Sequence, residues 1–460
     1  MEGLFSRGNG AAGVAWGLLD ASFDVAIAGA GPAGLMAAIR AARRDCRILL
    51  LDRSPRPGAK VLASGGGRCN VTHKGGPADI ASRFPKATGR FLRPALATFP
   101  PAALRAFLAL EGVETLVEEG GKVFPASGRA SDVLEALRRA LGRTACAMAF
   151  GQPVLDVARL PSGYRIRTDR RDFEAARVVV ATGGPAYPAL GATADGWRIA
   201  AGLGHDVLPP RPALAPVTSN APWVHLLQGI SVADASVRLV EVPGTGAKGN
   251  PPAKPRNGDA PARALVLAES RGGLLFAHFG PSGPAILDVS REVSAHPNPE
   301  ALVLECDLLP GLSETELDER LRLEALERGR RTISGLLENL LPRRLRETII
   351  SLAGLANDRR ASAIPRTERR AYARALKRLE IPVSGTLGFD RAEVAAGGVA
   401  LGEVNPRTME SRLVPGLFFA GELLDIDGPV GGFNLQAAFS TGFLAGQSAA
   451  ADPAARARTR

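Results

Sequence analysis

Residues 27–34, Ile-Ala-Gly-Ala-Gly-Pro-Ala-Gly, decide the reading of this 460-residue chain. Gly29, Gly31 and Gly34 stand in GxGxxG spacing directly after an apolar run, Phe23 to Ala28. An Ala-rich helical run follows from Leu35 to Arg43, then a second strand-like run from Arg47 to Leu51. Asp52 closes that run, 18 residues after Gly34. Strand, glycine turn, helix, strand and acidic end together form the dinucleotide fingerprint. Gly29 permits the turn, Gly31 lets the backbone approach a pyrophosphate, and Gly34 lets helix and strand pack closely. The helix N-terminus offers free N–H groups and a positive dipole to the phosphates. Asp52 is placed to accept hydrogen bonds from ribose hydroxyls. On its own, the fingerprint leaves NAD and FAD both open.

Length and composition set the frame. At 460 residues two or three domains are expected, and 45% hydrophobic residues suffice for an ordinary core. No apolar run approaches the length of a membrane span, so no membrane partner is expected. Residues 1–22 carry Glu2 and Asp20 and lack a basic start followed by an apolar block; a loose extension is expected there, not a signal peptide. Cys46, Cys69, Cys146 and Cys306 are widely spaced with no CxxC pair, which argues against a metal site or redox dithiol and fits a cytoplasmic protein. The net charge of +11 raises anionic partners. Its densest cluster is Arg359, Arg360, Arg366, Arg369, Arg370, Arg374, Lys377 and Arg378. At helical spacing this reads first as a solvated face, with a polyanion site as the alternative. A nucleic-acid partner is not expected.

Further along, Ala102 to Glu111 and Ser131 to Leu141 have helical spacing, and Val154 to Ala158, Tyr164 to Thr168 and Phe173 to Ala176 read as a meander. The β-branched run Arg177 to Ala181 then returns to the parallel sheet. Short strand-like runs occupy Val237 to Val242, Ala264 to Ala268, Gly273 to Phe276 and Ala301 to Asp307, with a low-complexity loop at Gly244 to Pro261. Ser313 with Glu316 forms a capping box that opens a helical stretch. Ile333 to Asn339, Leu345 to Leu352 and Thr367 to Leu379 continue that stretch. A last strand, Leu417 to Ala420, and a helix from Leu435 to Ala449 complete the chain. The expected organisation is a discontinuous dinucleotide domain, residues 22–190 with 385–450, interrupted by a β-rich substrate domain, 191–312, and a helical subdomain, 313–382.

Three constellations narrow the cofactor. In Gly65-Gly66-Gly67-Arg68-Cys69-Asn70, consecutive glycines suit a ligand approaching the main chain or an anion nest. There Arg68 is a candidate for a phosphate or carbonyl oxygen, and Asn70 for a flavin edge. Cys69 is a candidate redox thiol, with a packing residue as the alternative. Thr182-Gly183-Gly184 after a β-branched strand suits a second close pass over a dinucleotide. The third constellation runs from Phe419-Ala420-Gly421-Glu422 to Asp427-Gly428-Pro429-Val430-Gly431-Gly432-Phe433-Asn434. Glu422 or Asp427 would hold ribityl hydroxyls, Asn434 is a good N-cap, and the helix dipole would favour a reduced flavin's negative edge. Gly442 and Gly446 let this helix pack tightly. An NAD-only dehydrogenase has no use for such a segment 390 residues downstream of Gly31, which decides for FAD.

Together these motifs resemble the bacterial flavoproteins called HI0933-like, or the aminoacetone oxidase/BaiN-type FAD-binding family, over about Asp24 to Gly446. The resemblance implies an α/β protein: a Rossmann-like FAD-binding domain of the two-dinucleotide-binding-domain type, with an inserted β-barrel-like domain and a small helical domain. By motif matching it places Gly31, Pro32, Ala33, Gly34, Asp52, Arg53, Arg68, Asn70, Gly183, Gly421, Glu422, Asp427, Phe433, Asn434 and Leu435 around FAD. Gly29, Lys60, Gly66, Cys69, Val154, Thr182 and Gly432 complete the expected contacts. Phe433 stands where many relatives carry tyrosine. The family is associated with amine oxidation and with reduction of conjugated enones.

Catalytic candidates are His278, with Phe279 and Ser282 beside it in a Gly/Pro loop, Tyr187 after the glycine turn, and Cys69. His205 reads as closing a helix. The expected function is an FAD-dependent oxidoreductase that moves hydride between the flavin and a small organic substrate. Only one GxGxxG is present, so NAD(P)H would dock transiently at the flavin face, or another reductant or O₂ would serve. The alternatives are a flavin-dependent tRNA-modifying enzyme and a non-catalytic flavin redox sensor.

Overall fold

The computed structural model describes residues 22–42, 46–242, 265–327 and 329–451. The expected extension before Ser22 and the Gly244–Pro261 loop lie outside the described residues.

Phe23–Ala28 is a strand (β1), Pro32–Ala41 a helix (α1) and Ile48–Asp52 a strand (β2). Pro32 occupies the first helical position, where a missing N–H costs nothing. Apolar side chains on both faces bury β1 and β2 between helices, as a parallel sheet requires. They run parallel, with Val25 opposite Ile48 and Ala28 opposite Leu51. β1 sits near the middle of a seven-stranded sheet, between β2 and Asp172–Val180.

That neighbour is one nine-residue strand, although the sequence reads as two. Its first half pairs antiparallel with Gly163–Thr168, closing the meander. Its second half pairs parallel with both β1 and Leu417–Phe419. No Gly or Pro interrupts Asp172 to Val180, so nothing breaks the strand between the two roles.

The C-terminal helix, Phe433–Ala449, lies against α1. Small residues make the approach possible. A Cβ on Gly442 would lie 2.2 Å from Ala33 O, and one on Gly446 2.3 Å from Ala37 O. This contact fastens the end of the chain to its beginning.

Between them the chain leaves and returns. Val207–Ala213 going out pairs antiparallel with Val394–Val399 coming back. The excursion builds a five-stranded antiparallel sheet ordered Gly280–Ser282, Leu265–Ala277, Ser231–Glu241, Leu302–Asp307 and Leu379–Pro382. The helices Glu314–Glu327, Arg343–Leu352 and Arg366–Lys377 share one core with this sheet through Leu317, Leu321, Ile349 and Tyr372. Arg366–Lys377 packs on the strand Leu302–Asp307 as well as on the other two helices. The capping box forms: Ser313 N–H donates to Glu316 Oε2 at 2.8 Å, and Glu316 N–H to Ser313 Oγ at 3.2 Å. The expected helix at Ile333 to Asn339 shortens to one turn, Ile333–Gly335. Within the basic cluster, Arg359 pairs with Glu368, Arg369 with Asp318, Lys377 with Asp307 and Arg378 with Glu305. Those charges are largely spent within the fold. No helix among the described residues is long and apolar enough to cross a membrane.

Candidate flavin site

Three adjacent parallel strands end at one level, and a glycine turn follows each. Ala181 N–H donates to Ala28 O at 2.8 Å and Ala420 N–H to Val180 O at 3.1 Å, so the turns stand side by side. Their glycines fall into two kinds. At Gly29, with φ +102°, a Cβ would lie 2.5 Å from Ala181 O; at Gly34 it would lie 1.8 Å from Gly29 O. Protein packing demands both. At Gly31 and Gly183 a Cβ would meet nothing within 4 Å. Gly183, at φ +75°, also needs glycine for its backbone, whereas at Gly31 the open space alone is left to explain the residue, as the approach of a ligand to the main chain would. Gly66 is equally open. Gly421 abuts Ala33, where a Cβ would come within 2.8 Å of the alanine methyl. Thr182 packs on Gly196, and Val154 is buried at the start of its strand.

Asp52 is tied to the turns on both sides of it. Its Oδ2 accepts from Ala30 N–H at 2.6 Å and its Oδ1 from Ser54 N–H at 2.7 Å. The carboxylate thus anchors the glycine turn, and each oxygen keeps a lone pair for a ligand. Burial pushes its pKa up, against those two amides and Arg53. Arg53 is exposed and pairs with Asp195 at 2.5 Å.

The other end of the crevice is assembled from distant segments. Glu422 Oε2 meets Lys60 Nζ at 3.0 Å, and its Oε1 accepts from Ala395 N–H at 3.0 Å. Asn70 is buried, and its Oδ1 accepts from Val123 N–H at 3.2 Å. A Cβ on Gly432, at φ +87°, would lie 2.4 Å from Thr72 O and 2.8 Å from Asn70 Oδ1. The Asn70 loop and the C-terminal motif therefore touch. The helix begins at Phe433 with Gly432 as its N-cap, so Asn434 is not the cap. Instead the Asn434 amide clamps the preceding loop, donating to Gly428 O and accepting from Gly428 N–H, both at 2.8 Å. Phe433 is buried and stacks on His73 with centroids 4.8 Å apart. No acceptor among the described residues bonds the first amides of this helix, Phe433, Asn434 and Leu435.

Several groups here escape sequence reasoning. Asp427 pairs with Arg291 at 3.0 Å, and Val430 N–H donates to Asp288 Oδ1 at 2.7 Å. Both partners lie on the helix Pro284–Ala295 of the insertion, three residues apart and so on one face. Burial raises the pKa of Asp427, with Arg291 opposing, and also raises that of Asp288. Burial and then Asp288 push Glu393 up. The three-residue spacing places Asp288 and Arg291 on one helix face, but it does not show that this face meets the crevice.

Three candidates have surroundings that the sequence does not show. Arg68 pairs with Glu118, and its guanidinium lies 4.2 Å over the Phe124 ring. Cys69 is fully buried, and burial pushes its thiol up to about 11, so it packs as a neutral thiol. His278 is exposed on the turn after Leu265–Ala277; its contacts are His225, whose Nδ1 bonds His278 O at 2.6 Å, and the neighbouring Phe279 ring. Ser282 ends the short strand beyond that turn. Tyr187 remains beside the site. It follows the Gly183-Gly184 turn, is half-buried, and has its phenol pushed up by burial and then by Glu393. His205 closes the helix Asp195–Gly202 as expected, its N–H donating to Ala200 O at 3.1 Å just after Gly204 at φ +90°; its ring is buried between Glu403 Oε2 and Ser411 Oγ, each 2.9 Å away.

The residues fit FAD: an open cradle at Gly31 and Gly183, an anchored Asp52, and unsatisfied helix amides at the far end. The family model described as the HI0933-like protein Rossmann domain matches residues 23–448. The chain is 32% identical over 437 residues to a 3-dehydro-bile acid delta(4,6)-reductase of Clostridium scindens, covering 93% of this chain and 99% of that one. It is 32% identical over 428 residues to a ribosomal RNA dihydrouridine synthase of Escherichia coli, covering 92% and 97%. A ribosomal RNA dihydrouridine synthase of Haemophilus influenzae is 30% identical over 424 residues, covering 91% and 96%. The chain belongs to the HI0933-like family, and it is an FAD-dependent oxidoreductase.

Proposed function

We propose that the protein reduces a carbon–carbon double bond conjugated with a carbonyl group. The observation that carries this reading is the bond change shared by relatives with unlike substrates. One is named for reducing a conjugated bile-acid ketone, the other two for making dihydrouridine, in which the uracil double bond beside a carbonyl is saturated. Amine oxidation, the family's other association, has no support in these names.

FAD supplies the hydride when bound and reduced. Other tasks fall to this chain. Asp52, Gly31 and Gly183 would hold the adenosine and pyrophosphate end. Phe433, Asn434 and Leu435 would turn their amides toward the negative edge of the ring system, where a helix N-terminus stabilises anionic charge. Tyr187 keeps its proton, because burial and Glu393 both disfavour the phenolate. It would deliver that proton to the carbon next to the substrate carbonyl. NAD(P)H would recharge the site by transient docking.

The test is an anaerobic mixing experiment. Reduced enzyme is mixed with a conjugated enone or with its isomer bearing an isolated alkene. Flavin absorbance should return only with the conjugated partner. Equal rates with both, or none with any conjugated acceptor, would overturn the reading. Anaerobic mixing with NADH and NADPH identifies the donor.

A further inference from the structure

We propose that the exposed face of the helix Lys86–Thr98 docks the phosphate backbone of an RNA strand, presenting a base to the flavin crevice. The docking surface stands on its own geometry; its service to catalysis rests on the proposed reduction, since uracil carries a double bond conjugated with a carbonyl.

Lys86, Arg90 and Arg93 follow a spacing of four and three, which places them on one face over about 10 Å of helix. Arg83 lies three residues before Lys86, ahead of the helix and its N-cap Pro85. All four are exposed, while Thr88, Phe91, Leu92 and Ala95 on the opposite side are buried. None of the four side chains has an ion pair or hydrogen bond among the described residues. The larger cluster at Arg359 to Arg378 behaves differently: Arg359, Arg369, Arg370, Arg374, Lys377 and Arg378 each pair with a carboxylate, and only Arg360 and Arg366 form no ion pair among the described residues.

An unpaired cationic stripe does not serve the fold. Like charges one turn apart repel, and the first turn of this helix, with no acidic residue, adds Lys86 to the positive end of the dipole. A polyanion relieves both effects, and release of its counterions drives association.

Position links the stripe to the chemistry. Phe84, between Arg83 and Lys86, packs on the flavin-end loop: a Cβ on Gly428 would come 2.5 Å from its ring. At the other end of the helix, Phe99 O accepts from Gln436 Nε2 at 2.9 Å and Ser440 Oγ at 2.7 Å, both on the C-terminal helix. The Phe99 ring stacks on Phe443 at 4.6 Å. The basic helix is therefore bolted to the helix whose N-terminus faces the flavin end.

The experiment compares the FAD-loaded protein with its R83Q/K86Q/R90Q/R93Q variant by fluorescence anisotropy, using a uridine-containing RNA oligonucleotide across a salt series. The variant should bind at least about tenfold more weakly, with a salt slope lower by about 3 for four lost single-strand contacts. Its turnover of a small conjugated enone should be unchanged, which separates failure of the surface from failure of the proposed reaction. An R360Q/R366Q control should bind RNA like the parent. Equal RNA binding by parent and variant would overturn the proposal. So would preferential binding of the parent to anionic phosphatidylserine vesicles or to a poly-glutamate peptide.

Discussion

The two ends of the proposed flavin crevice, one assigned to the phosphates and one to the ring system, are built in opposite ways. The phosphate end is local: β1, its glycine turn, α1 and β2 lie within residues 23–52, and Asp52 reaches back to Ala30 over 22 residues. The flavin end is assembled. Lys60 meets Glu422 across 362 residues of sequence, and Arg291 meets Asp427 across 136. At the local end, packing is set by backbone approach. At the assembled end, it is set by charged and polar side chains brought together by the fold.

The largest effect should come from adding one methyl group at the local end. Gly34→Ala puts a carbon 1.8 Å from Gly29 O and 2.9 Å from Gly29 C, backbone atoms of the tight turn that cannot swing aside as a side chain would. The loss should exceed about 4 kcal/mol, with no cooperative thermal transition in the soluble fraction. Gly31→Ala, three residues away, meets nothing within 4 Å in the protein. Its stability without cofactor should stay within about 0.5 kcal/mol of the parent, while FAD binds at least about tenfold more weakly. If both variants lose stability alike, the distinction between packing glycines and cradle glycines is wrong. Retained FAD affinity in Gly31→Ala would move the pyrophosphate elsewhere.

Next in size is Tyr187→Phe. It removes one oxygen from a half-buried ring, and FAD binding should be unchanged. If the phenol supplies the proton, turnover of a conjugated enone falls about 100-fold, equal to about 2.7 kcal/mol. Flavin reduction by the electron donor should be unaffected. A fall in both half-reactions would make Tyr187 a structural support.

This contrast also explains what the sequence could reveal. The local end was legible because its constraints are short-range: GxGxxG, the flanking apolar runs and Asp52 are read within 30 residues. Gly442 and Gly446 were legible too, since small residues one turn apart have few uses but close helix contact. Asn434 was read as a cap because asparagine commonly caps; Gly432 at φ +87° takes that position, freeing the amide to clamp Gly428. The glycine-rich loop around Arg68 points to a ligand, whereas its protein partners Glu118 and Phe124 come from a segment at least 50 residues later and leave no local trace. The Asp288 and Arg291 contacts depend on how the insertion returns to the crevice, and no local pattern encodes that. Nor did the count of +11 distinguish charges satisfied within the fold from those left bare at Arg83 to Arg93.

Arg291→Met tests whether charge governs the assembled end. Burial already pushes the Asp427 carboxyl up, and Arg291 restrains it. Without Arg291 the folded protein holds a proton that the unfolded chain releases near its ordinary pKa of about 3.9. The variant's deficit should therefore be small at about pH 4 and grow as pH rises. It should reach about 1–2 kcal/mol at pH 7, below the figure for a fully buried pair because the Arg291 side chain is 32% exposed. R291M/D427N should recover most of the loss. A deficit independent of pH would assign Arg291 to packing alone.

The smallest effect concerns the strand that carries the chain back to the site. His205 has a side chain with 0% exposure, edge-on to Phe419 at 4.7 Å, between Glu403 and Ser411. Burial lowers its pKa below the ordinary value, with Glu403 opposing. It is therefore held neutral, with Nδ1–H donating to Glu403 and Nε2 accepting from Ser411 Oγ–H. A depressed histidine pKa contributes stability that is present above about pH 6.5 and lost as pH falls through the folded value. His205→Gln should cost about 1 kcal/mol at pH 8, because the shorter amide cannot make both bonds. The parent loses stability on acidification through this ring and the variant does not, so their thermal midpoints should converge between about pH 6.5 and about pH 5. Parallel curves across that interval would show that the ring does not titrate with unfolding, and would leave the Glu403–His205–Ser411 chain a matter of shape rather than charge.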